Sequence, residues 1–173
     1  LSAPRKVFLV GFMGAGKTSV GRKLASALEY PFVDLDEIVE AATRKTIREL
    51  FESEGEPAFR RRESSVLQSC FALDRAVVAT GGGTFVVDEC RRQIQESGVS
   101  IFLDVPFPVI LSRLSGKAES RPLFRDPAEA FQLYSARLEF YKMADICLGV
   151  GVEETVEEIA ERAYLALPFR NRD

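Results

Sequence analysis

One stretch near the amino terminus restricts the chain more than any other. Gly11-Phe12-Met13-Gly14-Ala15-Gly16-Lys17-Thr18 satisfies G-x-x-x-x-G-K-[ST] at every fixed position. The preceding run, Lys6-Val7-Phe8-Leu9-Val10, is short, apolar and closed by a glycine, as a buried strand would be. After the motif, Val20, Leu24 and Leu28 recur at i, i+4 and i+8, the stripe of an amphipathic helix. Strand, glycine loop and helix in that order make a phosphate site. Glycines let the backbone curl with its N–H groups inward, and the helix N-terminus adds to the attraction for an anion. Gly14, Ala15, Gly16 and Ser19 are expected around the phosphates with Lys17 and Thr18. Lys17 supplies a mobile positive charge, and Thr18 a hydroxyl for a Mg²⁺ that keeps most of its waters. A dinucleotide fold is the weaker rival reading, since Gly14-x-Gly16 would need a glycine where Ser19 stands.

The 173 residues suit a single domain spanning 1–173, and 46% hydrophobic against 28% charged residues allows a full core. No apolar run reaches the length of a membrane span, and the Leu1–Lys6 terminus lacks the apolar centre of a signal peptide. That terminus also lacks an initiator Met, so excision from a longer chain is an expectation. A net charge of −3 argues against a nucleic-acid partner, so an anionic ligand must be held by local charges. Cys70, Cys90 and Cys147 are widely spaced without a CxxC and read as buried thiols in a reducing, cytoplasmic compartment. There is no histidine, so a proton acceptor must be a carboxylate, lysine, tyrosine, thiolate, water or the phosphate itself.

Short apolar runs alternate with helical patterns. Phe32-Val33 leads into Asp34-Leu35-Asp36, Ala76–Ala79 into Thr80-Gly81-Gly82-Gly83, and Val99–Leu103 into Asp104, while Ile146-Cys147-Leu148 follows Asp145. With the first strand these make five, in an α/β arrangement whose parallel sheet is covered by helices on both faces. Ligands of such sheets lie at the carboxyl ends of the strands, where the polar clusters fall. Two segments exceed the sheet's needs. Residues 37–72 carry extra helix, with a capping box at Thr46-x-x-Glu49 and a break at Glu54-Gly55-Glu56-Pro57, and are expected to fold over the site as an arm. Residues 115–125 are polar and basic, end at the N-cap pair Asp126-Pro127, and read either as a lid or as an ordinary surface loop.

Asp34 and Asp36 stand two apart at a strand end and so are expected on one side of the sheet. One carboxylate can orient Mg²⁺ and the other accept the proton of an attacking hydroxyl; Asp36 as a helix cap is the alternative. Of the successive Arg60, Arg61 and Arg62, at least one must be solvated, and Arg60 has carboxylates within reach at Glu56 and Glu63. Arg137, beside the apolar Leu133 and Tyr141, needs an anion, either a structural carboxylate or one on a substrate. Gly81, Gly82 and Gly83 let the backbone approach a small ligand, unless they merely form a turn.

Taken together, G-F-M-G-A-G-K-T at 11–18, D-L-D at 34–36, F-R-R-x-E at 59–63, G-G-G at 81–83, R-P-L at 121–123 and R-x-x-x-Y at 137–141 resemble shikimate kinases, from about residue 5 to 165. The resemblance implies a five-stranded parallel sheet of the P-loop, nucleoside monophosphate kinase type. It implies transfer of the γ-phosphoryl of ATP to the 3-hydroxyl of shikimate, with ATP and shikimate as the partners of a cytoplasmic monomer. By the same resemblance Gly14 to Ser19 bind ATP, Thr18 and Asp34 serve Mg²⁺, and Asp36 binds substrate and acts as base. Lys17 and Arg121 would be catalytic, Arg121 closing from the lid. Arg60, Arg137 and Gly81–Gly83 would bind shikimate, and Arg113 would neighbour adenine. Two departures stand out. Arg44 occupies a position where the family often has glycine, and Val150–Glu154 lacks the family's usual polar group near adenine. A gluconate-type kinase, which shares the fold, and a non-catalytic ATP-binding regulatory domain are the competing readings.

Overall fold

The computed structural model of the chain describes residues 3–115 and 126–169. Their elements run β1 Lys6–Val10, α1 Lys17–Leu28, β2 Phe32–Asp34, α2 Leu35–Thr43, α3 Ile47–Phe71, β3 Ala76–Ala79, α4 Asp88–Ser97, β4 Val99–Asp104, α5 Phe107–Ser115, α6 Pro127–Tyr141, β5 Ile146–Gly149 and α7 Val156–Ala166, with a 3₁₀ turn at Thr84–Val86. The five strands expected from the sequence form one sheet in the order β2-β3-β1-β4-β5. Every neighbouring pair is parallel. Val7, Phe8, Leu9 and Val10 are fully buried, as a central strand covered on both faces requires. Right-handed crossovers explain the layering. The step from β1 to β2 runs one way across the sheet and puts α1 on one face, where α7 joins it. The steps from β2 through β5 run the other way and place α3 to α6 opposite. Because β1 is where the direction reverses, a crevice opens at its carboxyl end.

Local signals set the helix ends. The Thr46 hydroxyl accepts from Glu49 N at 3.2 Å and the Glu49 carboxylate from Thr46 N at 2.7 Å, so the expected capping box closes. Thr155 and Glu158 repeat the device at α7. Asp126 caps α6 through Ala128 N at 3.0 Å, with Pro127 opening the helix. The break expected at Glu54–Pro57 is real: Gly55 has φ 80° and ψ 167°, so α3 is two helices joined at a kink. Across the kink, Val39 and Leu50 from before it and Phe59 from after it build a small core separate from the main one. Beyond it, Leu67 and Cys70 return to the main core beside Phe8 and Ile94.

Three expectations change. Asp36 is not in the strand: β2 ends at Asp34, and Asp36 lies in the first turn of α2, so strand alternation does not set its direction. The helix cap is Asp34, whose carboxylate accepts from Asp36 N at 3.0 Å and Glu37 N at 3.3 Å. Cys70 and Cys90 are buried as expected, but Cys147 is exposed, because β5 is an edge strand. At the end of α2, Arg44 takes the left-handed conformation itself, with φ 55°, at a cost of roughly 1–2 kcal/mol that a glycine would avoid.

Gly98 joins α4 to β4, where a Cβ would stand 2.5 Å from the carbonyl oxygen of Lys6, a backbone atom of the central strand. At Gly149 a Cβ would meet nothing within 4 Å. Gly98→Ala is therefore expected to lose about 1–3 kcal/mol of stability in denaturant unfolding, while Gly149→Ala changes it by less than about 1 kcal/mol. Equal losses at the two positions would contradict the packing.

Candidate active site

The loop after β1 turns inward on three glycines with positive φ, Gly11 at 143°, Gly14 at 78° and Gly16 at 92°. Gly16 is the N-cap of α1, so the first N–H groups of that helix open toward the space above the loop. Lys17 begins the helix and folds back, donating to the carbonyls of Gly11 at 2.8 Å and Phe12 at 2.9 Å. Ala15 is buried, its N–H donating to Phe12 O at 3.2 Å, and Ser19 is exposed one residue past Thr18. Arg113, at the end of α5, donates to the Gly14 carbonyl at 3.1 Å and so lies against the phosphate loop.

The Thr18 hydroxyl donates to the Asp34 carboxylate at 2.6 Å. The other Asp34 oxygen accepts the two α2 amides, so this buried carboxylate is aimed by its own helix cap. A hydroxyl and a carboxylate side by side next to a phosphate loop form a hard oxygen set of the kind Mg²⁺ takes. Two residues on, Asp36 faces the cleft, its Oδ1 lying 3.2 Å from where a Cβ on Gly81 would stand.

The cleft holds about 510 Å³ of open space, solvent at its mouth included. It is lined by the charged Lys17, Asp36, Arg60, Glu63 and Arg137, by Met13 and the backbone of Gly81, Gly82 and Gly83, and by an apolar wall of Ile47, Phe51 and Phe59. The kink at Gly55 turns that wall inward, with the Phe51 and Phe59 rings 5.1 Å apart.

Arg60 sits between two carboxylates, Glu63 at 2.8 Å and Glu56 at 3.0 Å. Burial works against its charge, but the two glutamates outweigh that and raise its pKa. Arg61 is exposed, and Arg62 is drawn away to Glu54 at 2.7 Å, so only the first of the three arginines faces the cleft. Glu63 is itself buried and also accepts the Thr84 hydroxyl at 2.7 Å. This pair accounts for two glycines. A Cβ on Gly81 would fall 1.8 Å from Glu63 Oε1, and one on Gly83 would fall 2.5 Å from the Arg60 guanidinium. Neither glycine has positive φ, so lack of space, and not turn geometry, demands them.

Arg137, from α6, is only 8% exposed, and among the described residues no carboxylate pairs with it. The structural carboxylate entertained from sequence is thus absent among them. Its guanidinium lies 3.5 Å from the Cβ position of Gly82, whose carbonyl accepts the Tyr141 hydroxyl.

The structure brings together Lys17, Asp36, Arg60, Gly81–Gly83 and Arg137, with Thr18 and Asp34 behind Lys17 and Arg113 at the outer edge. Arg121 and the rest of 116–125 lie outside the described residues. Between β5 and α7, the Glu154 carboxylate accepts from Gly151 N at 2.7 Å and from Arg162 at 2.5 Å. Arg162 also donates to the Gly149 carbonyl at 3.0 Å, so an arginine does reach the Val150–Glu154 loop, from the helix that follows it. Sequence reasoning missed Met13, Ile47 and Phe51 as lining, and Thr84 as a partner of Glu63. A pair of apolar residues flanking Glu49 was the available signal for Ile47 and Phe51.

Comparison with known proteins points to one family. A family model described as shikimate kinase matches residues 13–167. The shikimate kinase of Cereibacter sphaeroides is 44% identical over 169 residues, covering 96% of this chain and 84% of its own length. That of Ruegeria pomeroyi is 41% identical over 169 residues, covering 96% and 86%. Among solved structures, the shikimate kinase from Acinetobacter baumannii in complex with shikimate superposes with a TM-score of 0.87 at 32% identity, over 92% of this chain and 90% of that one. A gluconokinase from Sinorhizobium meliloti, with a TM-score of 0.60 at 19% identity over 95% of this chain and 92% of that one, shares the fold alone. By family model, by relatives spanning nearly its whole length and by fold, the chain belongs to the shikimate kinase family.

Proposed function

We propose that the protein transfers the γ-phosphoryl group of ATP to the 3-hydroxyl of shikimate, as a cytoplasmic monomer. The observation that carries this reading is one cleft with opposed chemistry. Lys17, Asp36, Arg60 and Arg137 line the same cleft with the apolar Ile47, Phe51 and Phe59, next to the phosphate loop. A small ring bearing a hydroxyl at one end and a carboxylate at the other fits that arrangement.

In the proposed mechanism the loop amides and Lys17 hold the phosphates and stabilise charge that builds on the transferring group. Arg60 and Arg137 grip the carboxylate of shikimate, with Gly82 alongside. Ile47, Phe51 and Phe59 cover the ring and exclude water. Asp36 takes the proton as the acceptor oxygen bonds to the γ-phosphorus and the bond to the β,γ-bridging oxygen breaks, releasing ADP. Thr18 and Asp34 would hold Mg²⁺, which when bound with the nucleotide neutralises phosphate charge. Arg113, fixed to the Gly14 carbonyl, stands where the base of the nucleotide would leave the loop. Residues 37–72 serve as the acceptor-binding arm of one kinase domain.

An ADP-release assay across shikimate, gluconate and quinate tests the reading. Shikimate is expected to turn over at least a hundredfold more efficiently than the others. Preference for gluconate would favour the gluconate-type kinase, and ATP binding without turnover the regulatory domain. Asp36→Asn is expected to lower kcat about 10²–10⁴-fold with little change in ATP binding, whereas Asp34→Asn is expected to raise the Mg²⁺ concentration needed for half-maximal rate. The same response from both would refute the division of roles. Arg137→Ala should weaken shikimate binding by about 2–5 kcal/mol and leave a carboxylate-free analogue unaffected; titration calorimetry with both ligands decides.

A further inference from the structure

Arg137 poses a problem of placement. A long guanidinium side chain with no carboxylate partner among the described residues loses rotamer entropy each time it is fixed for a ligand. Arg60, by contrast, is held by Glu56 and Glu63 before any ligand arrives. Something other than a carboxylate must hold Arg137, and the residue one helical turn on, Tyr141, has the required contacts.

Tyr141 is completely buried, and its ring stacks on Phe102 of β4 at a centroid distance of 5.3 Å and 29° between planes. Its position is therefore referred to the sheet and not to α6 alone. The hydroxyl donates to the carbonyl of Gly82, across 59 residues of sequence. The Arg137 guanidinium lies 3.5 Å from the Cβ position of that same Gly82. Burial pushes the phenol's pKa up to about 12 in spite of that arginine, so the hydroxyl stays a donor throughout the neutral range. Phenylalanine would fill the same space and stack on Phe102 equally well. Only the oxygen needs explaining, and its hydrogen bond runs to Gly82, which lines the cleft beside Arg137.

We infer that Tyr141 is a positioning residue for the acceptor: its hydroxyl ties α6 to the glycine turn and sets the spacing between the Arg137 guanidinium and the Gly82 backbone that together receive the carboxylate. The inference rests on the reading of this cleft as the shikimate site. It adds that one buried hydroxyl, out of reach of the substrate, tunes affinity for the acid group without taking part in transfer.

Steady-state kinetics of Tyr141→Phe, Arg137→Ala and the double variant test it. Tyr141→Phe is expected to raise the KM for shikimate about five- to tenfold, the loss of about one net hydrogen bond. The KM for ATP and kcat are expected to change by no more than about twofold. In the Arg137→Ala background the tyrosine change is expected to add nothing further, because the group it positions is gone. An unchanged KM for shikimate, an equal rise in the KM for ATP, or effects that multiply in the double variant would each overturn the inference. If Tyr141→Phe does not fold, Phe102→Leu, which loosens the ring and keeps the hydroxyl, is expected to raise the KM for shikimate alone; no change there would overturn it as well. Failure of the parent enzyme to phosphorylate shikimate would instead sink the reading of the site, so the two failures are distinct.

Discussion

The backbone has to curl inward at the carboxyl end of β1, and the rest of the site is arranged around that curl. Gly11, Gly14 and Gly16 adopt positive φ there, and the loop they form reaches several of the elements that carry the cleft. Its carbonyls hold Lys17 and Arg113. Its Phe12 ring packs edge-on against Tyr134 of α6, the helix that carries Arg137. The Met13 amide stands 3.4 Å from the Cβ position of Gly82. The helix that leaves the loop puts the Thr18 hydroxyl on Asp34. A bulky residue at any of these close approaches would shift several functional groups at once, since interiors at native density have no slack to absorb it.

Two ion-pair arrangements divide the acceptor side. Arg60 is pre-fixed at a cost, because Glu63 is buried with it and its charge must be met in full by Arg60 and the Thr84 hydroxyl. Arg137 keeps its charge available for a ligand. One cation is thus held by two carboxylates, and the other meets none among the described residues, so under the proposed reading a ligand carboxylate would find one rigid and one unspent partner.

Much of this was legible in the sequence, for identifiable reasons. The five strands were readable because the central ones are buried on both faces and so appear as unbroken apolar runs. The phosphate loop was readable because its chemistry requires particular residues at fixed spacing. Arg60 was separable from Arg61 and Arg62 in principle, since only it has glutamates at both i−4 and i+3. What was not legible depends on contacts between distant segments. The glycines at 81 and 83 looked like ligand-facing backbone; the reason for them is the Arg60–Glu63 pair, which no local pattern reveals. Asp36 was placed on a strand because α2 begins immediately after Asp34, without a connecting loop to announce it. Phe51 was missed because the kink at Gly55 destroys the single periodicity that would have joined it to Phe59.

That same kink has a consequence for how the molecule comes apart. Splitting α3 at Gly55 leaves Val39, Leu50 and Phe59 as a core of their own. The wall formed by Ile47, Phe51 and Phe59 therefore rests on a few side chains, whereas the phosphate loop is anchored in the main body of apolar residues. Local opening follows the least burial lost, so the two halves of the cleft belong to cooperative units of unequal strength. A partial unfolding that frees α2 and the first half of α3 would therefore cost less than one that opens the sheet and phosphate loop. A ring seated against that wall, as the proposed function requires, would add to its small core, so that ligand and fold would stabilise one another at the same place.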